Sequence, residues 1–323
     1  MKVQSSLRAR LCGVAFLMVL AAGCGGGGGG EVGPPVLGAP PVNPPAAEVR
    51  GWTNTFGSAA VVLGQTAFDQ VDPQGSVTPI PSPSGAAAVS ADGRLFVGTS
   101  NHELLVFNQY DTVSGPAVAF SIQMPSISSV SAQGAKLVVA AEHRVHIFNS
   151  APLDDQAVPS ISWGAAFPGC SATTLRQPRA GFLTRMGQLI IADSFNNRVL
   201  IWEAVPEDGP LGEPTIVLGQ RHVETCAAND DDGDGASDDS AGSRSMSFPT
   251  SVWSDGVRLV VVDSRNHRVL IWDTFPTAAD ESTHLAHHVL GQEAFDAAEP
   301  NRGLPEAQAT TLNLPASVDV SAA

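Results

Sequence analysis

One pattern constrains this chain above all others: a fourteen-residue segment that returns in the same register 70 residues later. Residues 189–202 read Leu-Ile-Ile-Ala-Asp-Ser-Phe-Asn-Asn-Arg-Val-Leu-Ile-Trp, and residues 259–272 read Leu-Val-Val-Val-Asp-Ser-Arg-Asn-His-Arg-Val-Leu-Ile-Trp. Two weaker copies lie upstream, at 95–107 and 137–148, one and two residues shorter. The four units close on Phe107, Phe148, Trp202 and Trp272, at intervals of 41, 54 and 70 residues. A second element, Val-Leu-Gly-Gln, recurs at 62–65, 217–220 and 289–292, with Ile161-Ser-Trp-Gly as a degenerate copy. A third opens the units: Pro249-Thr-Ser-Val, Pro315-Ala-Ser-Val and, more loosely, Pro178-Arg-Ala-Gly. Such repetition belongs to stacked supersecondary units, none of which buries its apolar faces alone.

Each unit reads as strands. A Pro-led run meets a polar turn such as Ser254-Asp-Gly, an apolar run ends in Asp, a tight turn follows, and a second apolar run ends in an aromatic. Val-Leu-Gly-Gln closes the unit. The runs are short, β-branched and bounded by Asp, Asn and Gly. Val199-Leu-Ile-Trp does not alternate apolar with polar, the pattern of a strand covered on both faces. Blades packed face to face around an axis have this property. The expected fold is all-β, a β-propeller of four-stranded antiparallel blades: four full blades with partial units at either end, over residues 51–323.

The segment Asp263-Ser-Arg-Asn-His-Arg-Val-Leu-Ile resembles the NHL repeat, with Arg in place of the signature Leu, and Asn196-Asn-Arg is similar. The resemblance spans roughly residues 58–320. It implies turn chemistry at Asp193, Asn197, Arg198, Asp263, His267 and Arg268, without a catalytic role. The aspartates end a strand where a carboxylate accepts backbone N–H groups. Asn196 and Asn266 are expected to take the left-handed conformation. The arginines are expected to pair with those aspartates or with neighbouring blades.

NHL propellers typically have six blades, and this chain offers four with an outer strand near Val61 and an inner strand over 314–320. The reading is a truncated or incompletely closed ring. An open end leaves strand edges and apolar faces for self-association.

Length variation falls in the loops between units. The longest, within 221–247, contains Asn-Asp-Asp-Asp-Gly-Asp-Gly-Ala-Ser-Asp-Asp over 229–239. Asp230, Asp232, Asp234 and Asp238 take the spacing of an EF-hand-type loop, with Ala241 where the bidentate Glu belongs. They are candidate ligands for a weakly held calcium ion, against a plain solvated acidic loop. Cys170 and Cys226 are either a disulfide or two free thiols. His284, His287 and His288 fit no zinc signature.

The N-terminus reads as a targeting segment. Lys2, Arg8 and Arg10 precede an apolar run from Leu11 to Ala22 that is short for a membrane span. Leu-Ala-Ala-Gly-Cys over 20–24 resembles a bacterial lipobox, with residues 1–23 as signal and Cys24 as the lipidated residue. Residues 24–50, six glycines and then a Pro-rich stretch, form a tether. The expected location is a bacterial membrane reached through the lipid, outer membrane or cell surface ahead of periplasm. The net charge of −15 argues against nucleic acid. These features suggest a non-enzymatic scaffold for a protein or glycan. The alternatives are a metal-dependent lyase or hydrolase of the NHL-like class and a non-functional fragment.

Overall fold

A computed structural model describes residues 59, 61–63, 80, 83–108, 110, 117–207 and 209–320. The signal, Cys24 and the tether lie outside them, as do Gly64 and Gln65. The described residues form four four-stranded antiparallel sheets. The first holds β1 (Pro83–Val89), β2 (Leu95–Thr99), β3 (Glu103–Phe107) and β4 (Phe120–Gln123); the second, β5 (Ile127–Gln133), β6 (Lys136–Ala141), β7 (Arg144–Phe148) and β8 (Ile161–Trp163). The third holds β9 (Ala180–Leu183), β10 (Leu189–Asp193), β11 (Arg198–Trp202) and β12 (Ile216–Leu218); the fourth, β13 (Pro249–Ser254), β14 (Leu259–Asp263), β15 (Arg268–Trp272) and β16 (His288–Leu290). Strand order follows chain order, so each sheet is one propeller blade. Inner strands β1, β5, β9 and β13 neighbour one another in that sequence.

The continuous apolar runs now have a physical cause. Side chains on a strand alternate between faces. Leu189 and Ile191 of β10 pack toward the second blade with Val138, Ile147 and Trp163. Ile190 and Ala192 pack toward the fourth with Val252, Val261 and Trp272. Both faces are covered, so neither can be polar. Burying one such side chain contributes about 2 kcal/mol.

Two expectations about the ends change. The first blade closes on Phe120–Gln123, which carries no Val-Leu-Gly-Gln, while Val61–Leu63 form no strand. Leu63 and Ile80 instead cover the outer face of that blade, beside Leu95 and Val97. Residues 314–320 also form no strand, yet Val318 and Val320 cover the far face of the fourth blade against Val260, Val262 and Val269. A strand needs a paired ladder, and neither segment has one among the described residues.

Candidate functional site: the face that carries the interblade loops

In each blade the hairpin between the second and third strands and the loop from the fourth strand to the next blade leave from the same end. That end is built by the repeated residues. Asp193 closes β10, and its Oδ1 accepts the N–H of Arg176 at 2.7 Å. Its Oδ2 takes Asn196 Nδ2 and Arg198 Nε, both at 2.8 Å. Arg198 is fully buried, and its remaining donors reach the carbonyls of Ser171, Thr174 and Val223. One guanidinium thus binds the loop before its blade and the loop after it. Asp263 and Arg268 repeat the arrangement: Ser247 N and Asn266 Nδ2 on the carboxylate, Gly242, Ser245 and Phe295 carbonyls on the arginine. Burial pushes both carboxyls up from the usual carboxylate range, opposed by the adjacent arginine.

The left-handed residues are Asn197 and His267, at φ 52° and 51°, and not Asn196 and Asn266. Asn196 and Asn266 lie inside short 3-10 turns, Ser194–Asn196 and Ser264–Asn266, where their amides brace the aspartates. A further role falls to a residue of each hairpin, left-handed at His102, Asn197 and His267, and in the second blade His143 next to left-handed Glu142. His102 and His143 occupy the corresponding hairpins, and Nδ1 of His102, His143 and His267 accepts the N–H of Ser126, Gln177 and Leu314 respectively. Asn197 Oδ1 accepts that of Phe248 at 2.9 Å. All four donors also have positive φ and stand just before an inner strand or, for Leu314, before Pro315. Each hairpin therefore latches the entry to the next blade.

Val-Leu-Gly-Gln completes this end. A Cβ on Gly219 or Gly291 would come within 2.7 and 2.8 Å of the Asn197 and His267 carbonyl oxygens, and both glycines have φ near 90°. Gln220 Nε2 donates to Asn197 O and Gln292 Nε2 to His267 O. The inner-strand hydroxyls tie blades together. Ser128 Oγ donates to Pro178 O, and Ser129 Oγ accepts Gly181 N. Thr250 and Ser251 treat Pro315 O and Val318 N in the same way. Residues 315–318 thus sit in the register of a fifth inner strand. The repeated Ser and Thr were the sequence signal for these bonds, but hydroxyls at a strand start do not announce their partner.

The acidic loop folds onto this face. Asn229 is buried and exchanges two hydrogen bonds with Asn266, while Asp230 is 1% exposed. Asp230 accepts Gly233 N and Gly235 N. Asp230, Asp232 and Asp238 bring one carboxylate oxygen each within 4.8 Å of one another; Asp234 is not among them, its carboxylate turned to Ala236 N. Cys170 and Cys226 are joined, with Cα atoms 6.2 Å apart. The joined cysteines tie the loop after the second blade to the loop after the third. Among the described residues the histidines at 284–288 gather no group of metal ligands: His288 Nε2 meets Asp273 Oδ2 at 2.7 Å, His287 accepts Asp273 N, and His284 meets Thr277 O.

No family model matches the chain, and no curated protein matches it. Solved structures with similar coordinates include the WD40 β-propeller domain of Doa1, at TM-score 0.41 and 9% identity over 68% of this chain and 58% of that one. The Pan2 WD40 domain of Neurospora crassa gives 0.41 and 12%, over 65% and 50%. A humanised mutant of the Chaetomium thermophilum Polycomb Repressive Complex 2, bound to the inhibitor GSK126, gives 0.40 and 11%, over 56% and 34%. The chain spans between about a third and three-fifths of the length of these structures.

Proposed function

We propose that this propeller of four full blades is a binding scaffold of the NHL-repeat type, and that its loop face takes a protein or glycan ligand. One observation carries the reading. The loops that vary most in length, those between blades, leave from one end and are fastened there by buried Asp–Arg pairs, latches and a disulfide. Variable loops on a rigid frame are the usual architecture of recognition. The inner-strand hydroxyls are committed to interblade bonds, which supports a structural use of the axial strands.

The targeting segment completes the proposal: export, acylation at Cys24 and display from a bacterial membrane. Labelling with a fatty-acid analogue should mark the parent and not Cys24→Ser. For the ligand, the chain is tested against glycan and surface-protein panels with a bulky label at Ser237 on the loop face or at Asp255 on the opposite one. The reading expects the Ser237 label alone to abolish binding. Loss from the Asp255 label alone, or no binder in either panel, sinks it.

Asp230, Asp232 and Asp238 are the proposed calcium ligands, with an affinity on the order of 10⁻⁴ to 10⁻³ M. Asp230 supports this: among the described residues it is buried without a cationic partner. Calorimetric titration should give heat in the parent and none in Asp230→Asn. Equal heats would leave an acidic surface loop.

A further inference from the structure

The loop face of this acidic molecule carries a compact cationic patch. Phe195 and Phe248, half-buried on neighbouring blades, meet edge to face with centroids 4.9 Å apart. Arg176 lies 5.9 Å over the Phe195 ring, while Arg179 and Arg265 lie 5.9 and 4.6 Å over Phe248. All three arginines are exposed. Among the described residues none of their guanidinium groups makes a hydrogen bond or an ion pair. Stacking on a ring holds a guanidinium in place and leaves its edge donors free.

The repeat shows that the scaffold does not require this patch. Position for position, the third and fourth blades agree at Asp193 and Asp263, Ser194 and Ser264, Asn196 and Asn266, Arg198 and Arg268. Between those shared pairs they differ at two positions: Asn197 and His267, which both serve as latches, and the site where half-buried Phe195 in one copy stands opposite exposed Arg265 in the other. The latched entry residue differs likewise, Gln177 in one copy and Phe248 in the next. The patch is built from the positions that the frame leaves open.

We infer that this patch binds an acidic peptide segment of a protein partner, through carboxylates received by Arg176, Arg179 and Arg265. This rests on the loop face being the binding face. Three guanidinium forks, each suited to a planar carboxylate, match a segment with spaced Asp or Glu. One arginine lies over Phe195 and two over Phe248, and both rings are half-buried, which disfavours them as a platform for stacking a sugar or a base. A carboxylate ligand needs only the donors that are free.

The purified full chain is titrated against a fluorescein-labelled peptide of alternating Glu and Ser, read by anisotropy. Saturable binding is expected, weakening as salt rises. The triple variant Arg176→Gln, Arg179→Gln, Arg265→Gln should bind roughly tenfold more weakly or worse. Arg185→Gln, in a turn at the opposite end, should bind as the parent. If the triple variant fails to fold, Arg265→Glu alone, at an exposed turn position, should still lower affinity. Absence of saturable binding, or equal binding by the variants, overturns the inference. Oligogalacturonate and oligothymidylate serve as parallel probes. Binding of either at the patch without the peptide also overturns it, while the loop-face reading stands. That reading falls by its own test, the label at Asp255.

Discussion

Arg268 makes four hydrogen bonds from a site with no solvent: one to Asp263 and three to loop carbonyls. Arg268→Met strands a buried carboxylate and frees both loops, at an expected cost of about 3–5 kcal/mol in urea unfolding. Arg268→Lys keeps the charge but has three donors for four acceptors, and should also destabilise. The histidines set an acid limit. Burial holds His146 down at about 4, from 6.5, with Arg144 adding to the effect. Burial also lowers His267, against the pull of Glu299, Asn313 and Asp263. A depressed folded value means that the unfolded chain takes the proton first. Stability from both groups is therefore complete above 6.5 and declines as pH falls below it, for His146 down through about 4. His267→Asn preserves the latch, as Asn197 does one blade earlier, and should flatten the decline in unfolding midpoint below pH 6.5. An unchanged slope would remove His267 from the account.

At the scale of elements, closing strand and hairpin are one device. The glycine of Val-Leu-Gly-Gln admits the carbonyl of the left-handed residue, and the glutamine then holds it. Gly219→Ala places a methyl 2.7 Å from Asn197 O at a φ of +90°, and should cost about 2 kcal/mol or more in thermal unfolding. The joined cysteines work between loops. They are 56 residues apart in sequence, and a loop of that length constrains the unfolded chain by about 4 kcal/mol in the entropic account. Replacing both with Ser should lower the unfolding midpoint by a corresponding amount. No change would mean that the loops are held by Arg198 and Asn197 alone.

Across the whole molecule, the apolar faces of consecutive blades cover each other, and the two outermost faces need other cover. Residues 314–320 provide it on the fourth blade, in the register of an inner strand. Deleting 315–320 uncovers Val260, Val262 and Val269, and should convert monomer to larger species in size-exclusion chromatography. A monomer of unchanged stability would mean that this segment covers nothing essential. Charge is divided at the same scale. The acidic loop and the patch of Arg176, Arg179 and Arg265 share one face of a chain with a net charge of −15.

Much of the fold was legible because its signals are local. Continuous apolar runs require cover on both faces, Asp and Asn mark strand ends, and a pattern that repeats must build the same unit. Two strong units therefore read from Val-Leu-Gly-Gln and its partners and a weaker one from the degenerate Ile161-Ser-Trp-Gly, while β4 escaped because Phe120–Gln123 carries none of that motif. Asn196 and Asn197 were exchanged as left-handed residues because either side chain tolerates that conformation. Only the register of the hairpin, with Asn196 amide on Asp193, decides between them. By itself the sequence determined that the chain makes four-stranded antiparallel blades, since strand period and turn chemistry act over a few residues. The tertiary structure alone decided which loops meet. The joining of Cys170 to Cys226 and the grouping of Arg176, Arg179 and Arg265 bring together residues far apart in the chain. Their proximity follows from the packing of one blade on the next, which no short-range pattern encodes.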